Sequence, residues 1–252
     1  MSILKTEAVV LKTQDFRETS KILSVYTKKF GRIQLIAKGV RSQKSKFGAV
    51  LDVLNYLNLV FYFKETRELQ LLSNADLVKP FLGIRADLHR FAAASLLSEI
   101  IYRTQLVGHP SGRLFAAFVS ALDGVDRAPS YQNYLGAFLI RFLEISGFEP
   151  RLRRCSVCGK EPTGKWVYFD VARGAFQCEQ CAGSRENYRF SLLALRTLQT
   201  FRDVTWSGLA KIQVPPGVWV EIERFLLYFL RYHFEGLATI HALDFLKQIN
   251  SK

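Results

Sequence analysis

All four cysteines of the 252-residue chain lie within one 27-residue stretch, as Cys155-x-x-Cys158, nineteen residues, then Cys178-x-x-Cys181. That is the spacing of a zinc ribbon. Each Cys-x-x-Cys turn can aim two thiolates at one point, and the second pair closes a tetrahedral shell. Such a shell leaves no open position for a substrate, so it holds structure and does not activate water. Gly159 and Gly183 supply turn freedom at or just after each pair. The competing readings are two disulfides or an accidental spacing, and nothing in the sequence suggests an oxidising compartment. The expectation is one structural Zn2+ on Cys155, Cys158, Cys178 and Cys181.

With 49% hydrophobic residues the chain can bury a substantial core, divided into two or three modules. Met1 to Leu11 carries Lys5 and Glu7 within its apolar stretch, so it lacks the core of a signal peptide. No run approaches the roughly 18 apolar residues of a membrane span. A soluble, cytosolic protein with no membrane partner is expected.

Net charge is +13, and it is unevenly spread. Residues 1–80 carry +7, residues 81–150 carry none and residues 151–252 carry +6. Within residues 1–46 the bias sharpens to 11 basic side chains against 3 acidic ones. A basic field of this kind suits a polyanion through phosphate contacts and counterion release, although it also suits an ordinary solvated surface.

Residues 1–80 read as five short strands, at 5–12, 21–27, 32–38, 57–63 and 69–76. That pattern predicts a small Greek-key barrel of the OB type, a fold that commonly binds nucleic acid along a basic groove. The connection from Lys38 to Phe47 is too polar to pack internally and offers Lys38, Arg41, Lys44 and Lys46 to phosphates. Lys12, Arg17, Lys21 and Arg32 complete the candidate DNA-binding set. Phe16, Tyr26 and Phe30 are candidate stacking rings, although such rings are more often core filler.

From residue 81 the period turns helical. Helices are predicted over 83–106, 114–122 and 132–145, the last capped by Ser130 and closed by Gly147. After the ribbon, taken as 151–186, Ser191 should cap a helix to Val204. Further helices cover 218–234 and 241–249. Phe225, Tyr228, Phe229 and Tyr232 recur at helical spacing, and all four are expected in the core. The predicted class is α+β and multidomain: an N-terminal OB-type five-stranded β-barrel over 1–80, then an α-helical domain over 81–252 carrying the ribbon.

Catalytic motifs are weak. Gly159 to Lys165 fits seven positions of a phosphate-binding loop, but Trp166 stands where Ser or Thr should hold magnesium. His89, His109, His233 and His241 are scattered, and carboxylates do not cluster as a two-metal nuclease requires. His233 reads as a core or boundary histidine. A non-enzyme is expected. A second non-enzyme reading is a zinc-ribbon adaptor for RNA or acidic protein segments, using Arg151, Arg153, Arg154, Lys160 and Lys165.

Over nearly its whole length the chain resembles the recombination mediator family RecO. The likeness rests on Glu7 to Leu11, Arg17 to Lys21, Phe30-Gly31-Arg32, Lys38 to Arg41, Arg141 to Pro150, the cysteine pairs and Tyr232 to Leu237, in that order. The resemblance implies a bacterial, nucleoid-associated protein without catalytic turnover. It would bind single- and double-stranded DNA, anneal complementary strands and, with RecR, help load RecA onto DNA coated by single-strand binding protein. It also implies a pocket in the helical part for that protein's acidic C-terminal tail, with Arg141 as a candidate contact. Some family members lack the cysteines, so zinc is not essential to the activity in general.

Overall fold

The computed structural model describes residues 2–42, 45, 47–182 and 188–243. Lys44, Lys46, Gly183 and the predicted helix beyond 243 lie outside the described residues.

Side chains along Gly31–Ala37 alternate strictly between buried and half-buried, the signature of a strand with one face in a core. It is one of five strands: β1 (Ser2–Phe16), β2 (Ser20–Thr27), β3 (Gly31–Ala37), β4 (Tyr56–Phe63) and β5 (Leu69–Lys79). They follow the order β1-β2-β3-β5-β4, and β1 also pairs with β4 from Ser2↔Phe63 to Val9↔Tyr56, so the sheet closes on itself. Ala8, Val10, Leu23, Val25, Leu35, Leu57, Leu59 and Phe61 fill its interior. A register shift between Val10 and Lys12 bends β1, which lets one strand serve two neighbours.

Three helices share this compact unit, which comprises Met1–Asp126 and Ile240–Lys252: α1 (Leu82–Ala86), α2 (Leu88–Thr104) and α3 (Gly112–Arg127). Asp87 separates the first two, because its extended backbone lets its carboxylate accept from the amides of His89 and Arg90 and start a new helix. Tyr26 points away from the interior and is fully buried beside Phe115, 6.0 Å between centroids, and Phe118. The Glu99 carboxylate accepts from the amides of His241 (3.1 Å) and Ala242 (2.9 Å), tying the returning chain to α2. Gly31 has φ +63°, and a Cβ there would run into the His109 carbonyl. Gly31→Ala should therefore cost about 2–4 kcal/mol; a thermal melt within a degree of wild type would refute this.

The second unit is Arg127–Thr239. It contains α4 (Tyr131–Ile145), β6 (Trp166–Asp170), β7 (Ala175–Gln177), α5 (Glu179–Ala182), β8 (Tyr188–Ser191), α6 (Leu192–Asp203) and α7 (Pro216–His233). Helix α4 is buried on nearly every side and forms the axis of this unit. Near its start the Asn133 amide donates to the carbonyls of Leu209 and Ile212, at 3.0 and 2.9 Å. The three strands pair in the order β7-β6-β8, and Val167 and Phe169 of β6 turn inward. Phe169 meets Phe225 and Phe229 of α7 at 4.8 and 5.4 Å.

The fold class read from the sequence needs correcting. Five short strands were expected; the closed barrel they form is mixed, with β3 parallel to β5 over three residue pairs, and β1 is longer than expected at 15 residues. A helical domain over 81–252, interrupted at 151–186 by the ribbon, was expected after it, yet α1, α2 and α3 cluster with the sheet, and the second unit's three-stranded sheet takes its last strand, β8, from beyond that bound. Smaller differences have local causes. The helix predicted over 83–106 is two, broken by Asp87, and Ser130 precedes α4 without its side chain capping it. Ser191 caps α6 through the Ala194 amide at 3.1 Å, and Gly147 closes α4 with φ +85°.

Candidate metal centre and nucleic-acid surface

Two short turns bring the cysteines together. In the first, Gly159 at φ +72° lets its amide reach the Cys155 carbonyl at 2.9 Å while the Cys155 amide reaches the Lys160 carbonyl at 2.8 Å. The second is the first turn of α5, where the amides of Cys181 and Ala182 both donate to the Cys178 carbonyl at 3.0 Å. The Ser156 amide donates to the Phe176 carbonyl at 2.9 Å, which fastens the first turn to β7. All four sulfurs then lie within 4.8 Å of one another.

A tetrahedral ion at a metal–sulfur distance of about 2.3 Å requires sulfurs about 3.8 Å apart. Cys158 and Cys178 are 3.8 Å apart, and the four thiols are free rather than disulfide-bonded. The donor set fits a thiophilic ion with a closed shell. Burial works against the Cys155 thiolate, but donation from the amides of Cys158, Cys178 and Val157 outweighs it and brings its pKa down to about 6. Hydrogen bonds from Cys181 to Cys178 and Cys158 hold its proton and push it up to about 12. A dication would remove that asymmetry by neutralising the thiolates together.

The segment Gly159 to Lys165 runs into strand β6 with no helix after it, so it lacks the helix N-terminus of a phosphate-binding loop. Several cations around the first turn are engaged locally. Arg151 donates to the Arg173 carbonyl, Arg153 pairs with Asp203 at 2.8 Å, and Arg154 donates to the Gly159 carbonyl. His233 lies against Phe148 and Phe229, with centroids 4.6 and 4.4 Å away, and burial lowers its pKa.

The candidate DNA-binding cations divide into two groups. Strand pairing sets Lys21 opposite Asp15 and Ala37, and the Arg41 amide donates to the Thr19 carbonyl at 3.1 Å. Arg17, Lys21, Lys38 and Arg41 therefore gather where the β1–β2 turn meets the turn after β3. Arg17, Lys38 and Arg41 are exposed, and Arg41 is paired with exposed Asp15 at 3.3 Å. Lys12 and Arg32 lie elsewhere, on the outer face of the sheet against Tyr102 of α2, at 5.8 and 5.0 Å from the ring centroid. Arg32 also donates through Nε to the Gln105 carbonyl at 3.0 Å, so it fixes α2 to the sheet. No local sequence signal announces this, because Tyr102 and Gln105 lie some seventy residues away.

Arg141 serves the fold. Its guanidinium donates to the carbonyls of Phe201 and Val204 at the end of α6 and lies 4.3 Å from the Trp206 ring. Burial pulls its pKa down. Tyr26 and Phe30 are not stacking platforms: Tyr26 is fully buried, and Phe30 packs edge-on against Phe61 at 5.6 Å. Phe225 and Phe229 are core as expected, but Tyr228 and Tyr232 are 49% and 55% exposed.

Comparison with known proteins covers both units. A family model described as Recombination protein O N terminal matches residues 1–81, and one described as Recombination protein O C terminal matches residues 85–239. A DNA repair protein RecO of Desulforamulus reducens is 32% identical over 253 residues, covering 99% of this chain and 97% of that protein. The protein of that name from Prosthecochloris aestuarii is 36% identical over 227 residues, covering 86% and 84%. That from Syntrophobacter fumaroxidans is 28% identical over 254 residues, with full coverage of both chains.

Proposed function

Because this chain belongs to the recombination protein O family, we propose that it binds single- and double-stranded DNA and pairs complementary strands without turnover. Its place in DNA repair and recombination as a non-catalytic mediator follows from the family. The finer reading is that it acts with RecR to load RecA on DNA coated by single-strand binding protein, whose acidic tail it contacts. The ion on the four cysteines is proposed to be zinc, one per chain and structural. The observation that carries the reading is the match of both family models, which together take in nearly the whole chain.

The chemistry is electrostatic. Two complementary strands repel through their phosphates until cations bring them together. A basic surface lowers that repulsion without reading sequence, and base pairing supplies the selectivity. Arg17, Lys21, Lys38 and Arg41 are the proposed phosphate contacts, with Lys44 and Lys46 continuing the same connection in sequence. The exposed Arg41–Asp15 pair does not disqualify Arg41, since such pairs are worth at most about 1 kcal/mol and exchange readily for a phosphate.

The test is a strand-annealing assay without ATP, beside titration of an oligonucleotide at several salt concentrations. The double variant Lys38→Glu/Arg41→Glu should bind roughly tenfold more weakly at low salt, and its log–log salt slope should flatten by about 1.4. Unchanged affinity in the variant would clear this end of the sheet. Failure of the wild-type chain to accelerate annealing would sink the function.

A further inference from the structure

Helix α7 buries Phe225 and Phe229 and leaves a second, aromatic face uncovered. Val220, Arg224, Tyr228, Arg231 and Tyr232 are all exposed along it, three and four residues apart. Beside the stripe, Tyr188 of β8 stacks on Tyr228, with centroids 5.4 Å apart and planes inclined by 25°. Tyr188 is itself backed by Phe225 at 5.7 Å, so a rigid aromatic shelf supports the exposed ring. Neither Arg224 nor Arg231 is in an ion pair among the described residues. The acidic neighbour Glu221 is engaged with the Ser191 amide.

We infer that this stripe is a single-strand-binding track in the second unit, with Tyr228 and Tyr232 as base-stacking platforms and Arg224 and Arg231 as phosphate contacts. The inference rests on the reading that the chain handles DNA, and adds a surface to it. Three properties favour a single strand. Exposed rings interleaved with free cations are what sequence-tolerant strand binding uses. Rings four residues apart on a helix are separated by about 6 Å along its axis. A stacked strand rises only about 3.4 Å per nucleotide, so a strand along this stripe must be unstacked and a duplex does not fit. A second copy of the chain is disfavoured as the occupant, because the stripe's two arginines would repel their counterparts.

The test uses the full chain and oligo-dT carrying 5-iodouracil. Photocross-linking should place adducts on Tyr228 and Tyr232. Tyr228→Ala/Tyr232→Ala should lose them and bind oligo-dT more weakly by roughly tenfold or more, with duplex affinity and thermal midpoint close to wild type. Tyr228→Phe/Tyr232→Phe should retain binding, since the ring face is what stacks. Wild-type oligo-dT affinity in the alanine variant would overturn the track, as would adducts confined to the first unit. Loss of binding to an acidic protein partner, with oligo-dT affinity intact, would make the stripe a protein-docking face and also overturn it. An alanine variant that binds normally while Lys38→Glu/Arg41→Glu does not would leave the function standing and remove this track. Adducts on Tyr228 in a chain that anneals nothing would do the reverse.

Discussion

Cys155→Ser is expected to strip the metal and unfold the turn-and-strand segment around it. Cys155 is the buried member of the four, 3% exposed, and its sulfur accepts the Cys178 amide at 3.4 Å. The turns that carry the cysteines have little else to hold them. Strand β7 has three residues and α5 has four, while much of Arg153 to Glu161 is exposed. Zinc contributes on the order of 10–16 kcal/mol to the folding of comparable small sites. Metal analysis should find one zinc per wild-type chain and none in the variant. Limited proteolysis should cut the variant between 151 and 182 while the first unit, which holds no cysteine, resists. A chelator should lower the wild-type thermal midpoint and leave that of the variant unchanged. A variant that keeps its zinc and its midpoint would remove the ribbon from this account.

Phe225→Ala is expected to be the costliest single core substitution in the second unit. Its ring is fully buried and is the meeting point of four others: Phe169 at 4.8 Å, Phe190 at 4.9 Å, Tyr188 at 5.7 Å and Phe229 at 5.8 Å. Those partners sit on β6, β8 and α7, so the deletion empties the joint between sheet and helix. A buried Phe→Ala change costs about 3–5 kcal/mol, against a total of about 5–15 kcal/mol for a typical protein. A urea melt should show the midpoint falling steeply for Phe225→Ala and scarcely moving for Tyr228→Ala, one turn outward on the same helix. Equal midpoints for the two variants would contradict this assignment of core and surface.

The four-cysteine cluster was legible because its members are close in sequence and their spacing is set by turn geometry. Strands β2, β3 and β4 were legible for a similar reason: alternation is a local signal, and their buried faces meet one interior. Strand β1 was not legible in full. Gln14 and Asp15 look like turn residues, yet they pair with Ile22 and Lys21 across the hairpin. The break at Asp87 was hidden by apolar residues that keep helical spacing on both sides of it. Roles that depend on distant partners were hidden as well. Arg32 read as a DNA-binding candidate from its charge and Arg141 as a partner contact from the family resemblance, but each spends its guanidinium on carbonyls far away in sequence. On α7, periodicity identified an aromatic helix. It did not separate Phe225 and Phe229 from Tyr228 and Tyr232, because the stripe lies next to the buried face.

The two amides that clasp Glu99 belong to residues more than 140 positions downstream. At ribosomal speeds of about 5–20 residues per second, the carboxylate waits roughly seven to thirty seconds for its partners. The N-terminal unit is thus left unlatched while the intervening chain is made, and a nascent protein truncated before residue 240 would never close it.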